Sequence, residues 1–222
     1  MDLAGYLNSR LVLSELSKPG HQPFITISRE TGCGVTAIAR LLIAELKKRG
    51  LIWKYIDKDV LFEASKKLRL NESKINYVFE AERKTHVDEI ISALSNRYYK
   101  SDKTVRRTIS EVVKHYAGEG NVIIVGRGGV AITAGMDKGF HVKLVAPESW
   151  RIQSLMALKN KPYEEIKTFV KENDRKRQQL LSDFCKTPAA EFCYDLILNR
   201  ASYTEKQIAE IILEIMQKQG LI

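Results

Sequence analysis

Phe24-Ile25-Thr26-Ile27-Ser28-Arg29-Glu30-Thr31-Gly32-Cys33-Gly34-Val35-Thr36 is the stretch that decides the fold. An apolar run of strand length enters a turn holding two glycines. The chain leaves that turn into Ile38, Leu41, Leu42 and Leu46, one face of a helix closed by Lys47, Lys48, Arg49 and Gly50. Strand, glycine turn and helix in immediate succession open a βα unit of a parallel sheet. Glycines in such a turn let backbone N–H groups face an anion, reinforced by the helix N-terminus, although close strand–helix packing alone also calls for them. A Walker-type phosphate loop reads G-x-x-x-x-G-K-[ST]. Counted back from Gly34, its first glycine falls on Arg29, its lysine falls on Val35, and Thr36 takes the place of the Mg²⁺-coordinating hydroxyl.

Four further apolar runs follow. Leu51 to Ile56 reads as a second strand ending at Asp57, Val122 to Val125 as a third, Phe140 to Ala146 as a fourth and Leu196 to Leu198 as a fifth. Helical patterns separate them. One runs from Asp59 to about Gly118 with breaks near Leu70-Asn71 and Ser101-Asp102, and another is opened by Glu148 after Pro147. A long charged helix is expected over 163–183, and a last one from about Thr204 to Gln219, where Thr204 and Gln207 form a capping box. Leu3, Leu7 and Leu11 predict a short helix over 2–17, so residues 1–20 read as an N-terminal helical extension of a single domain over 21–222. Near-continuous apolar strands alternating with helices predict an α/β fold, its mostly parallel five-stranded sheet covered on both faces. Ligands of such sheets bind beyond the carboxyl ends of the strands, which singles out Arg29 to Thr36, Asp57, Arg127 and Asn199.

The 222 residues carry 36 Lys and Arg against 27 Asp and Glu, a formal net charge of +9. That balance favours an anionic partner, whether nucleic acid, membrane surface or phosphate-rich small molecule. A hydrophobic content of 44% with only 5 prolines excludes wholesale disorder and a collagen-like chain. Three cysteines are too few for a disulfide scaffold and fit a reduced, cytoplasmic protein; Cys185 and Cys193 have no paired His, so no metal-ligand spacing emerges. No run approaches the roughly 18 apolar residues of a spanning helix, and the N-terminus does not read as a signal peptide.

Several polar positions have two readings. Asp57 either holds Mg²⁺ through water or orients a substrate hydroxyl, or it caps a following helix. Lys58 either replaces missing loop charge or is solvated. Arg127, between Gly126 and Gly128, offers a guanidinium fork suited to a phosphate, against a structural ion pair. Arg29 either points into the phosphate site or pairs with Glu30, and Arg151 faces either nucleotide or solvent. Trp53 and Trp150 read as packing residues, Asp195 and Asn199 as fold-stabilising ones. Arg97, Lys100, Lys103, Arg106 and Arg107, interleaved with Tyr98 and Tyr99, form a basic cluster: ordinary helical surface, an acceptor-phosphate contact or a nucleic-acid contact.

The opening segment Ile25 to Gly34 with Ile38-Ala39 resembles that of the cytidylate kinase-like family, a branch of the P-loop nucleoside monophosphate kinases whose phosphate loop commonly lacks the usual lysine. Tyr55-Ile56-Asp57-Lys58, Val125-Gly126-Arg127-Gly128, Asp174-Arg175-Lys176-Arg177 and Tyr194-Asp195-Leu196-Ile197-Leu198-Asn199 extend the resemblance over roughly residues 24 to 217. It implies a P-loop NTPase-like three-layer α/β/α fold with a helical acceptor-binding insertion at about 59–118 and a lid at about 160–192. It implies a phosphotransferase moving the ATP γ-phosphate to a cytidine or other nucleoside monophosphate, with a nucleotide-binding protein of weak or no turnover as the alternative. Donor phosphates would rest on Arg29, Thr31, Gly32, Cys33, Gly34, Val35 and Thr36, with Lys58 nearby. Mg²⁺ would sit at Thr36 with Asp57 in its outer shell, Arg127 would hold the acceptor, and Arg175 and Arg177 would close from the lid. Relatives carry an aspartate after that Gly-Arg arginine, where this chain has Gly128, which weakens any claim to cytosine recognition. The N-terminal helix is a candidate for self-association, and nucleic acid is not the expected partner.

Overall fold

The computed structural model describes residues 22–57, 103–184 and 194–222. Five strands, β1 (Phe24–Arg29), β2 (Lys54–Ile56), β3 (Val122–Val125), β4 (Gly139–Val145) and β5 (Leu196–Asn199), form one sheet in the order β2-β3-β1-β4-β5. Every pairing is parallel. Six helices accompany them among the described residues: α1 (Val35–Lys48), α2 (Lys103–Glu119), α3 (Gly129–Ile132), α4 (Glu148–Lys159), α5 (Tyr163–Phe184) and α6 (Glu205–Lys218).

Burial on both faces explains the apolar strands. On one face Ile25, Ile27, Ile123, Val125, Val142 and Leu144 pack against Ile38, Leu42 and Leu46 of α1 and Ile208, Ile212 and Met216 of α6. On the other, Phe24, Val122 and Ile124 meet Ile109, Val112 and Val113 of α2 and Ile132 of α3. The apolar positions of α2 recur every three to four residues, so one stripe faces the sheet. A smaller cluster of Ile152, Leu155, Ile166 and Val170 joins α4 to α5. The three-layer α/β/α fold with a five-stranded parallel sheet therefore stands as expected.

The details depart from the sequence reading at several element boundaries, including β5, which extends to Asn199. The second strand covers only Lys54–Ile56 rather than beginning at Leu51. Its partner β3 begins at Val122, directly after Gly120 and Asn121 in the left-handed region, so Leu51 to Trp53 have no strand to pair with. Trp53 instead buries its ring in the α1 side of the core. The fourth strand is shifted one residue earlier, to Gly139–Val145, and the short helix α3 follows the Gly126–Gly128 turn without a distinct pattern of its own. The capping box of α6 is present as read: the Gln207 N–H donates to Thr204 Oγ1 at 3.3 Å, and the Thr204 N–H donates to Gln207 Oε1 at 3.0 Å. The helix expected over 2–17, and most of the stretch from Asp59 to Gly118, lie outside the described residues.

The sheet also carries a titratable link. Thr26 of β1 and His141 of β4 are register partners, with Thr26 Oγ1 2.7 Å from His141 Nδ1, and the His141 N–H donates to Asp195 Oδ2 at 2.7 Å. Burial lowers the imidazole pKa below 6.5, with the Asp195 carboxylate working in the opposite direction. The unfolded chain then binds this proton more readily than the folded one. Stability is full above about pH 6.5 and declines as pH falls through that value toward the folded pKa, by at most about 1.4 kcal/mol per pH unit. Urea unfolding of wild type and His141→Gln at pH 7.5 and 5.5 checks this: the wild type should lose more stability between the two than the variant.

Candidate functional site

Order 2-3-1-4-5 places β1 between β3 and β4, and the crevice beyond their carboxyl ends is where ligands of such sheets bind. Three segments meet there: the glycine turn after β1, the end of β2 at Asp57, and the turn after β3 at Arg127.

The glycine turn is fixed from outside. Gly32 has φ +97°, and a Cβ there would lie 2.9 Å from the Arg151 carbonyl oxygen, so both backbone conformation and close approach require glycine. The Thr31 N–H donates to Asp174 Oδ1 at 2.7 Å, and the Cys33 N–H to the Glu30 carbonyl at 3.3 Å. Those two donors already have acceptors, so the expected anion cradle over Thr31 to Thr36 narrows to the N–H groups of Gly32, Gly34, Val35 and Thr36. Gly34 caps α1 in the left-handed conformation without a side-chain hydrogen bond, and the first turn of α1 has no acidic residue. That leaves the positive end of the helix open to an anion. Thr36 is exposed beside the Tyr55 phenol, whose pKa is raised by burial and then by the Asp57 charge. Cys33 is 1% exposed, and burial, followed by the Glu30 charge, pushes its thiol up to about 11. Cys33 in the native protein should therefore remain unmodified by iodoacetamide at pH 7.5 and become labelled in urea, as read by peptide mass mapping.

On the other side of the crevice, Gly126, Arg127 and Gly128 all have positive φ, at 67°, 57° and 70°. This run swings the Arg127 side chain back over the end of β2. Arg127 Nε donates to the Asp57 carbonyl at 3.2 Å, and its Nη2 lies 3.3 Å from Asp57 Oδ1, with the two side chains 5% and 14% exposed. Arg29, the last residue of β1, sets its guanidinium against Gly126, where any Cβ would collide with Nη1. Burial lowers the Arg29 pKa from 12.5 to about 10, helped by the Arg177 and Arg127 charges and opposed by Asp57. Arg177, from α5, donates to Thr31 Oγ1 and lies 3.5 Å from Asp174 Oδ1.

Residues 24–202 match the sequence pattern of the cytidylate kinase-like family. The chain belongs to this family. No curated protein matches its sequence. A solved structure of an uncharacterized protein from Eubacterium ventriosum is similar, at 15% identity and a TM-score of 0.63, covering 89% of this chain and 99% of that one. More distant are a shikimate kinase from Bacteroides thetaiotaomicron, at 14% identity, 89% and 98% coverage and a TM-score of 0.46, and a dephospho-CoA kinase from Campylobacter jejuni, at 13%, 89% and 98%, and 0.45.

This cytidylate kinase-like chain brings Arg29, Asp57, Arg127 and Arg177 around one point and the glycine turn beside it. Arg175 is not among them: two helical positions from Arg177, about 200° around α5, it is exposed. Val35, at the lysine position, is 7% exposed and belongs to the core between α1 and α6, so that position does not face the crevice. Gly128 is covered by Phe184, whose Cδ2 would lie 2.6 Å from a Cβ there. Lys58 lies outside the described residues. Among the described residues no group of three His, Cys, Asp or Glu side chains could hold a metal ion. Asp57 Oδ1 is buried and accepts no well-formed hydrogen bond, but Arg127 and Arg29 are its neighbours. Those cations disfavour a directly coordinated Mg²⁺ at Asp57, whereas the exposed Thr36 hydroxyl suits one.

The sequence reading missed the support of the site. Arg151 is neither a nucleotide contact nor a solvated charge. Its Nε donates to the Ala146 carbonyl at 3.0 Å and lies 3.3 Å from Glu30 Oε2, while its Nη1 donates to the Thr31 carbonyl at 3.1 Å and to Asp174 Oδ2 at 2.5 Å. Glu30 in turn accepts the Ala146 N–H at 3.0 Å, so it is not the partner of Arg29. The contacts that tie Glu30 and Thr31 to Ala146, Arg151 and Asp174 span 116 to 143 residues, which hid this network from any motif. Asp195 and Asn199 are structural, the latter accepting the Ala201 N–H at 3.0 Å. Trp150 packs at the core edge beneath the Arg200 guanidinium, 5.4 Å from its ring centre. Of the basic cluster at 97–107, Arg107 pairs with Glu111 at 2.9 Å on the exposed side of α2. No described helix is long and apolar enough to cross a membrane.

Proposed function

We propose that this chain is a small-molecule kinase that moves the γ-phosphoryl group of ATP to a nucleoside monophosphate or a related small acceptor. The observation that carries the reading is Arg127, a buried guanidinium held by Asp57 in a left-handed turn beside an uncapped helix start. The free N–H groups of the glycine turn would receive the donor phosphates, and Arg127 would orient the acceptor's anionic group. Arg177 adds charge from α5, while Arg175 would act only on a ligand reaching the outer side of that helix. Mg²⁺, when bound with the nucleotide, supplies charge neutralisation of the donor phosphates, and Thr36 would hold it. Asp57 then acts through Arg127, keeping the fork oriented. Phosphoryl transfer asks for positioning and charge stabilisation rather than a covalent nucleophile, which agrees with a site built from arginines and backbone.

The burial of Val35 in the core favours one second reading, a nucleotide-binding protein with weak or no turnover. ADP production from ATP and Mg²⁺ with CMP, dCMP, UMP and AMP separates the two. Turnover with one acceptor, lost on Arg127→Ala, supports the kinase. ATP binding without ADP formation for any acceptor supports the second reading.

A further inference from the structure

Arg29 stands in a place that the fold alone does not explain. It ends the central strand, and its guanidinium is packed against the Gly126 backbone, which leaves no room for a side chain there. The acids that would ordinarily neutralise it are engaged elsewhere. Glu30 is taken by Arg151 and the Ala146 N–H, Asp57 by Arg127, and Asp174 by Arg151, the Thr31 N–H and Arg177. Among the described residues the Arg29 guanidinium makes no hydrogen bond and no ion pair. Its charged neighbours include two further arginines, Arg127 and Arg177. Like charges gathered in a partly buried site repel one another, and a shared oxyanion is the group that turns this arrangement from unfavourable to favourable.

We propose that Arg29, Arg127 and Arg177 together bind one phosphoryl-sized oxyanion, with Arg29 supplying from the end of β1 the positive charge that Val35 does not. The anion is the transferred phosphoryl group or the acceptor phosphate, an assignment that rests on the kinase reading; the subsite itself rests on the three guanidinium groups. Two features of this chain then have one origin. A cation at the first position of the glycine turn makes a lysine at its end dispensable, so position 35 is released to the apolar core. The lowered pKa of Arg29 fits a group held in its charged form at a cost until an anion arrives.

The test uses the full chain and inorganic pyrophosphate as the probe, at matched ionic strength with sodium chloride. Isothermal titration measures its affinity for wild type, Arg29→Gln, Arg29→Lys and Arg107→Gln, the last removing an exposed charge on α2. Expected are saturable binding to wild type and Arg107→Gln, at least a tenfold weaker affinity for Arg29→Gln, and an intermediate one for Arg29→Lys. In the absence of anion, Arg29→Gln should melt at the same temperature as wild type or higher, because a repelling charge has been removed. Unchanged affinity in Arg29→Gln, no binding to wild type, or a melting temperature lowered by Arg29→Gln in the absence of anion would each overturn the subsite, the last by showing a structural role. Adding Val35→Lys to Arg29→Gln should not restore affinity. The outcome is separable from that of the kinase reading. Arg29-dependent pyrophosphate binding without ADP formation leaves the subsite standing and removes the kinase, whereas turnover with Arg29-independent anion binding does the reverse.

Discussion

Arg151→Met lowers the stability of the protein by about 2–4 kcal/mol, a fall in melting temperature of about 5–15 °C for a chain of this size. The side chain is 8% exposed and ties Glu30, Thr31, Ala146 and Asp174 together. Methionine preserves most of the volume, so the loss comes from the ion pairs to Glu30 and Asp174 and the hydrogen bonds to the Ala146 and Thr31 carbonyls, with Arg177 remaining as the cation beside Asp174. Glu30 is about a third exposed (34%), which reduces its share; Asp174, at 21%, contributes more. Differential scanning calorimetry of Arg151→Met, Asp174→Asn and the double variant checks the account. The double variant should cost less than the sum of the singles, because the neutral amide no longer needs the guanidinium. The same substitution releases the Thr31 carbonyl, so nucleotide affinity should weaken along with stability.

Arg127→Ala has the largest expected effect on activity: a drop of about 10²–10³ in kcat/KM for the acceptor, equivalent to about 3–4 kcal/mol of transition-state stabilisation. Arg127→Lys should recover little of it, because an ammonium cannot keep both the Asp57 contacts and a bidentate grip on a phosphate. Asp57→Asn separates orientation from charge. It leaves the guanidinium in place but loosens it, so its effect should be smaller than that of Arg127→Ala and fall mainly on acceptor KM. Steady-state kinetics with ADP detection reads all three. Equal activity of wild type and Arg127→Ala would remove Arg127 from the site.

Much of the fold was legible because parallel strands buried on both faces read as apolar runs. Phe24 to Ile27 and Val122 to Val125 needed no more than that. The second strand was read too long because strand length is set by the partner: β3 starts at Val122, and nothing in Leu51 to Trp53 reports this. The converging cations Arg29, Arg127 and Arg177 could be suspected from their places after strands or in a charged helix. Arg175 and Arg177 were read as a pair, although positions two apart on one helix lie about 200° around it and the structure leaves Arg175 exposed. Val35 looked like a hole in a phosphate loop, and the structure turns it into a core residue. Glu30, Arg151 and Asp174 were illegible as a unit, since their pairing depends on how α4 and α5 lie over the turn.

Arg29 and Gly126 sit on different strands' ends, nearly a hundred residues apart, yet they occupy a single volume. The glycine before Arg127 is therefore a footprint of β1 as much as a feature of β3. A side chain at 126 would have to displace the Arg29 guanidinium as well as adopt a positive φ, so a substitution in the turn after β3 reaches the end of β1 as well.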